Sequence, residues 1–223
     1  SCISDSYNDK DKPRPAVFHY NQPNKITSLD PAFAKSQNNM WAVHHIFNGL
    51  VQLDKDLELQ ACIAKSWDIS DDGLTYKFNL RSDVLFHDNQ CFRQQSERRL
   101  TAKDVKYSFE RIISDSLAAP GSWIFKGKVD EKQPFSAPND STFVLRLKQP
   151  FLPMLNILSM QYCSITSRRA IEFYGPDARS NPVGTGPFKL KRWLENQGLY
   201  LVKNPDYFEI SRAGEKLPYL DGV

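Results

Sequence analysis

What the sequence has little of narrows its chemistry first. Four cysteines and four histidines are spread over 223 residues, with three methionines and four tryptophans. Cys62, Cys91 and Cys163 form no CxxC pair and stand at no Cys/His spacing of a zinc site. The neighbours His44 and His45 lie about 100° apart on a helix, so they cannot share a metal as an i, i+4 pair does. No run approaches the ~20 apolar residues that cross a bilayer; the richest, Phe151 to Met160, is broken by Pro153, Asn156 and Ser159. An excess of one charge sign is also missing, the net charge being +3 with both signs interspersed. The tightest basic groups are Arg98-Arg99 with Lys103 and Lys106, and Arg168-Arg169, none interleaved with aromatics. They read as solvated helix surface and argue against a nucleic-acid partner. There is no G-x-S-x-G elbow, and Gly184-Thr185-Gly186 lacks both the Lys-Ser/Thr of a phosphate loop and the third glycine of a dinucleotide fingerprint. Carboxylate pairs such as Asp71-Asp72 stand at turn positions, where Asp is favoured for backbone reasons. With no nucleophile and base brought together, the sequence points away from an enzyme, and no metal or cofactor is expected.

What is present is a chain 40% hydrophobic and 25% charged, with 14 prolines, 14 phenylalanines and 9 tyrosines. This is the profile of a soluble mixed α/β protein of one or two domains with many turns and aromatic-rich strands. Ala16 to Tyr20 reads as a short strand, and Ser28 to Pro31 as a turn, because the residue before proline avoids the helix. Met40, Val43, His44 and Phe47 then recur at helical spacing, with Ser36 or Asn38 as the cap and Gly49 past the end. Leu74, Tyr76, Phe78 and Leu80 alternate with polar residues after the Asp72-Gly73 turn, which predicts a half-buried antiparallel strand. Thr101 with Asp104 has the spacing of a capping box, ahead of a helix whose apolar face is Val105, Phe109, Ile112 and Ile113. A second alternating run carries Phe143, Leu145 and Leu147. Pro150 is read as opening a helix on Phe151, Met154, Leu155 and Leu158, and a short helix spans Arg168 to Tyr174. Two runs either side of Glu195-Asn196-Gln197-Gly198 form a hairpin. No internal repeat is present.

The chain begins Ser1-Cys2 and stays polar through Lys12. This resembles the processed start of a bacterial lipoprotein, whose lipid-bearing cysteine leads into a polar tether; Cys2 would then carry the lipid, with residues 1–12 as the tether. The alternative is a stray cysteine in a disordered tail. The three internal cysteines allow at most one disulfide and are expected to be buried free thiols.

Asn181-Pro-Val-Gly-Thr-Gly-Pro-Phe188 draws the eye because two glycines and two prolines fix what reads as an exposed turn. Such a loop can bring backbone amides against a ligand, and it serves equally as a structural turn. Together with other segments in this order it resembles the family 5 extracellular solute-binding proteins, which include dipeptide and oligopeptide receptors. The segments are Ser28-Leu-Asp-Pro31, Ile46-Phe-Asn-Gly-Leu-Val51 with Asp54, Ala64-Lys-Ser-Trp67 and Ser70 to Arg81. They continue with Val84-Leu-Phe-His-Asp88, Leu100 to Arg111, Asn181 to Phe188 and Asn204-Pro-Asp-Tyr-Phe208.

The resemblance implies a periplasmic-binding-protein-like class II fold, α/β with mixed sheets. It implies only part of that fold: residues 13–50 and 162–223 as a discontinuous lobe I, residues 51–161 as an inserted α/β subdomain, and the second lobe absent. Val223 would then stand just before the hinge, and the chain is expected to be a fragment. Asn89 to Arg99 departs from the family's short turn as a polar surface insertion in which Cys91 and Phe92 can pack locally. Trp67, Tyr76, Phe78, Phe109 and Tyr207 are expected in the core. The implied function is that of the extracytoplasmic receptor of an ABC importer for peptides, closing about a hinge on its ligand and passing it to a membrane permease. The receptor would be monomeric and held at the outer face of a bacterial membrane only through lipid on Cys2. Ligand contacts are expected from Gln37, Asn38, Asn39, Met40 and Trp41 at the start of the helix, and from Gly184, Thr185 and Gly186. Trp123 falls where family members place an aromatic over the ligand, with core packing as the alternative. Fold analogy does not choose the ligand. A non-peptide solute such as a nickel chelate or an oligosaccharide, a sensory or scavenging lipoprotein, and, in another class, a hydrolase remain open.

Overall fold

The computed structural model describes residues 14–22 and 24–223; Cys2 and the tether lie outside them. The central element is an antiparallel sheet of β3 (Ala64–Ile69), β4 (Thr75–Leu80), β6 (Thr142–Arg146) and β5 (Phe135–Asn139), in the order β3-β4-β6-β5. Tyr76, Phe78 and Leu80 point to one face of β4 and are buried, as the period of two requires. Against that face packs α2 (Ala102–Ile113) through Val105, Phe109 and Ile112. Phe109 stands at the middle of an aromatic group, 4.9 Å from Phe125, 5.6 Å from Phe135 and 5.3 Å from Phe143 between ring centroids. Such tilted and edge-on pairs each add about 0.5–1.5 kcal/mol beyond their burial. The Asp104 carboxylate accepts from the Thr101 backbone N–H and hydroxyl, both at 2.9 Å, and so starts the helix where the sequence indicates.

A smaller apolar cluster gathers Leu29, Val43, Ile46 and Phe47 with Phe188 and Leu201. It joins α1 (Gln37–Ile46) to the hairpin of β7 (Phe188–Leu194) and β8 (Gly198–Lys203). Two short strands, β1 (Val51–Leu53) and β2 (Leu59–Ala61), pair with each other, and α3 (Met154–Leu158) packs on β1. The last helix, α4 (Arg168–Tyr174), is capped by Ser167, whose Oγ accepts from the Ala170 N–H at 3.3 Å.

Trp67 is half-buried against the larger cluster, and Tyr76, Phe78, Phe109 and Tyr207 are buried. Cys62, Cys91 and Cys163 are buried free thiols. Phe92 stacks on Phe86 at 6.3 Å, so the segment after Asp88 packs locally.

Four expectations are corrected. Ala16 to Tyr20 is not a strand: Val17 makes one bridge to Gly222, because the partner segment Asp221 to Val223 runs beside it only briefly. The helix expected from Pro150 begins at Met154, since Pro153 offers no N–H and keeps its predecessor from helical dihedrals. Arg98 is buried, not solvated: its Nε donates to the Phe86 carbonyl at 2.9 Å and its Nη2 to Asp206 at 2.7 Å, which satisfies the charge inside the protein. The turn at residues 182–186 is buried and not exposed, for a reason found at the far end of α1.

Candidate functional site

Asp30 organises the surroundings of the first predicted contacts. Its Oδ1 caps the 3-10 turn Pro31–Phe33 by accepting from the Ala32 N–H at 3.0 Å. Both carboxylate oxygens then receive the Arg111 guanidinium at 2.8 and 2.5 Å, in the bidentate geometry that suits a buried pair. This ties the turn to α2. The turn also packs against two others, Pro120–Ile124 and Gln161–Cys163, and α1 packs against the turns 31–33 and 161–163. Gly121 lies on the Tyr162 ring so closely that an added Cβ would come within 2.7 Å.

On this base α1 begins at Ser36, whose Oγ accepts from the Asn39 N–H at 3.3 Å. Gln37 is exposed. Asn38 is buried, and so is Asn39, whose side chain accepts from the Thr27 N–H and donates to the Thr27 Oγ1, each at 3.0 Å. Asn39 thereby holds residue 27 to the helix. Met40 is half-buried and touches both apolar clusters. Trp41, 42% exposed, turns away to lie 5.0 Å from the Tyr20 ring. Trp123 is 47% exposed on the turn 120–124. The Lys128 ammonium sits 5.6 Å over its ring and donates to its carbonyl, which fixes the indole in place.

The glycine turn lies elsewhere. α1 spans nine rises of about 1.5 Å, so its two ends are about 14 Å apart, and residues 184–186 press on the second end. The Gly186 N–H donates to the Ile46 carbonyl at 2.8 Å. A Cβ on Gly184 would stand 2.0 Å from that carbonyl oxygen, and one on Gly186 2.5 Å from its carbon. Only glycine allows this approach. Thr185 is fully buried and donates its hydroxyl to Asn48 Oδ1 at 3.0 Å, while Asn48 donates to Tyr207 at 3.4 Å. His87 adds its backbone N–H to the Gly184 carbonyl at 2.8 Å and places Nε2 3.0 Å from the Gly186 carbonyl, which also accepts from Asn204 at 2.9 Å.

The structure thus packs α1 and the turn bearing Trp123 against the same turn, Pro31–Phe33. It sets Gly184, Thr185 and Gly186 in a buried junction about one helix length away. Sequence reading missed the Asp30–Arg111 pair that positions the first group. The signal was an Asp just before proline and an Arg on the polar flank of α2, two types that bury together only when paired. Among the described residues no group of three His, Cys, Asp or Glu is placed to hold a metal, and no helix is long and apolar enough to cross a membrane.

Comparison with known proteins gives this geometry a context. Residues 58–223 match the model of the bacterial extracellular solute-binding proteins, family 5. The glutathione-binding protein GsiB of Salmonella typhi is 30% identical over 200 residues, which is 89% of this chain and 35% of that protein. The structure of DppA from Helicobacter pylori in complex with the peptide STSA superposes with a TM-score of 0.76 at 32% identity, over 88% of this chain and 40% of that one. NikZ from Campylobacter jejuni in complex with Ni(L-His) superposes with a TM-score of 0.71 at 28% identity, over 83% and 35%. The chain therefore spans well under half the length of these relatives, and it belongs to the bacterial extracellular solute-binding proteins, family 5.

Proposed function

We propose that this chain supplies one wall of a ligand cleft in the extracytoplasmic receptor of an ABC importer, and that the ligand is a peptide. The observation that carries the reading is that α1 and the Trp123 turn both pack on the turn Pro31–Phe33, which the Asp30–Arg111 pair ties to α2. α1 carries an exposed amide side chain, Gln37, and the turn an exposed aromatic plane, Trp123. A peptide needs both kinds of contact, hydrogen bonds to its amides and apolar cover for its side chains. Asn38, Asn39, Met40 and Trp41 support this wall by positioning the helix. Gly184, Thr185 and Gly186 act by fixing its far end. Closure on the ligand is a hinge motion against a second lobe and needs no covalent chemistry, so the protein acts as a carrier and not as an enzyme. In the same reading residues 51–161 are the inserted subdomain, the receptor is a monomer, and lipid on Cys2 holds it outside the cell beside its permease.

A second reading keeps the fold and changes the ligand to a non-peptide solute. It is favoured by the relative whose structure holds Ni(L-His). A thermal-shift screen decides between them, run on the natural gene product and on residues 1–223 side by side. The ligands are di- to hexapeptides, glutathione, Ni(L-His) and oligosaccharides. A stabilisation of the natural product by peptides, larger than that of residues 1–223, is the expected result. A shift with the chelate or sugars alone discards the peptide.

A further inference from the structure

The ammonium of Lys128 lies between two aromatic rings, with Nζ 5.6 Å from the centroid of Trp123 and 5.9 Å from that of Phe151. It also donates to the Trp123 carbonyl at 2.5 Å. All three partners are neutral. The acidic side chains of the surrounding segment are engaged elsewhere. Asp115 takes Lys126 at 3.0 Å, Glu131 takes Lys148, and Asp130 accepts from the Lys132 and Gln133 backbone N–H groups at 3.0 and 2.7 Å. Among the described residues Lys128 forms no ion pair, so a positive charge without a carboxylate stands against one face of the Trp123 ring.

An aromatic face attracts a cation through its quadrupole, and here Lys128 already uses that attraction. The two rings also replace water on two sides of the ammonium, so its field is screened less than that of a lysine in open solvent. The indole is 47% exposed, which leaves room for a group from outside to lie against it. A second cation there meets repulsion from Lys128, and an anion meets attraction. For unit charges about 10 Å apart at an effective dielectric of about 20, either effect changes affinity about tenfold. A neutral group meets neither.

We infer that Lys128 is a specificity-determining residue, which gives the Trp123 platform a preference for an acidic group of the ligand over a basic one. The inference rests on the reading of Trp123 as a ligand contact and narrows the ligand to a class: peptides that are acidic or uncharged at the residue covering the indole. Lys128 selects by charge, and a basic side chain is turned away by repulsion instead of by shape.

The test is isothermal titration calorimetry on the natural gene product with tetraalanine and with its eight variants carrying one Glu or one Lys at each position. Wild type is expected to bind the Glu peptide at least about tenfold more tightly than the Lys peptide at one position. Lys128→Met, which keeps the chain length and removes the charge, should level that preference; Lys128→Glu should invert it. Lys128→Arg should keep it, since a guanidinium carries the same charge and also stacks on rings. A preference that persists in Lys128→Met, whether all affinities stand unchanged or all fall equally, makes Lys128 a prop for the indole alone and overturns the inference while the peptide reading stands. Equal affinities for Glu and Lys peptides in the wild type do the same. Absence of binding by all nine peptides removes the peptide reading and this inference with it.

Discussion

His87 is buried at 2% exposure and shares the Gly186 carbonyl with Asn204. Donation from Nε2 leaves Nδ1 as a bare acceptor with no partner among the described residues. A second proton would have to enter there, beside the cations Lys189 and Arg98, and burial already pushes the imidazole down from 6.5 to about 4. In the unfolded chain the ring protonates near its ordinary value, so acid favours unfolding. The stability held at neutral pH is expected to fall as pH drops below about 6.5, with about 3 kcal/mol gone by about pH 4. Melting temperatures of wild type and His87→Gln between pH 7 and 4 check this. Their difference should change across that window, and parallel curves would count against a buried neutral His87. Nothing in the run Val84 to Asp88 marks the histidine as buried. Its burial follows from residues about 100 positions away, which no local pattern encodes.

Elements whose two faces differ were legible, and elements held by distant partners were not. The strand around Tyr76 and Phe78, the helix from Ala102 to Ile113 and the closing hairpin appear where the alternation or the helical period places them. The start of α1 also follows its cap residue. Replacing that cap, Ser36→Ala, is expected to cost about 1 kcal/mol, and Ser36→Asp to restore most of it. In a protein of this size that is a fall of about 2–4 °C in melting temperature. An unchanged melting temperature in Ser36→Ala would show that tertiary contacts alone hold the first turn. The stretch from Ala16 to Tyr20 was misread because its apolar content is that of a strand, while pairing requires a neighbour of equal length. The glycine turn was misread as exposed because composition shows that the backbone can bend and is silent about what presses on it.

Among the described residues the two apolar clusters are joined by the shared Met40, the pair Asp30–Arg111 and the buried junction at residues 184–186. Removing one partner of a buried pair leaves the other charge uncompensated, at about 3–5 kcal/mol. For Arg111→Ala the expected consequence is unequal: hydrogen exchange should accelerate more in β7 and β8, which belong to the smaller cluster, than in β4 and β6. Equal acceleration would mean that the clusters unfold as one unit whatever the state of this pair. For the candidate site, the family resemblance is what puts forward the start of α1, Trp123 and residues 184–186. Which of these side chains are engaged inside the protein is visible only in the packing, which spends Asn39 on Thr27 and Thr185 on Asn48.

The three buried thiols give the chain a set of internal clocks. Burial holds all of them above the ordinary thiol range, Cys91 at about 11 and Cys62 and Cys163 higher still, so little reactive thiolate is present while the fold is closed. Each becomes reactive only when its own surroundings open. Cys91 lies in the segment after Asp88, Cys62 beside Glu209, and Cys163 at the end of the turn 161–163, its Sγ 3.8 Å from the Ile157 carbonyl. With Cys2 replaced by serine, the labelling rate at each position would time the breathing of a different region, without any probe having to be engineered in.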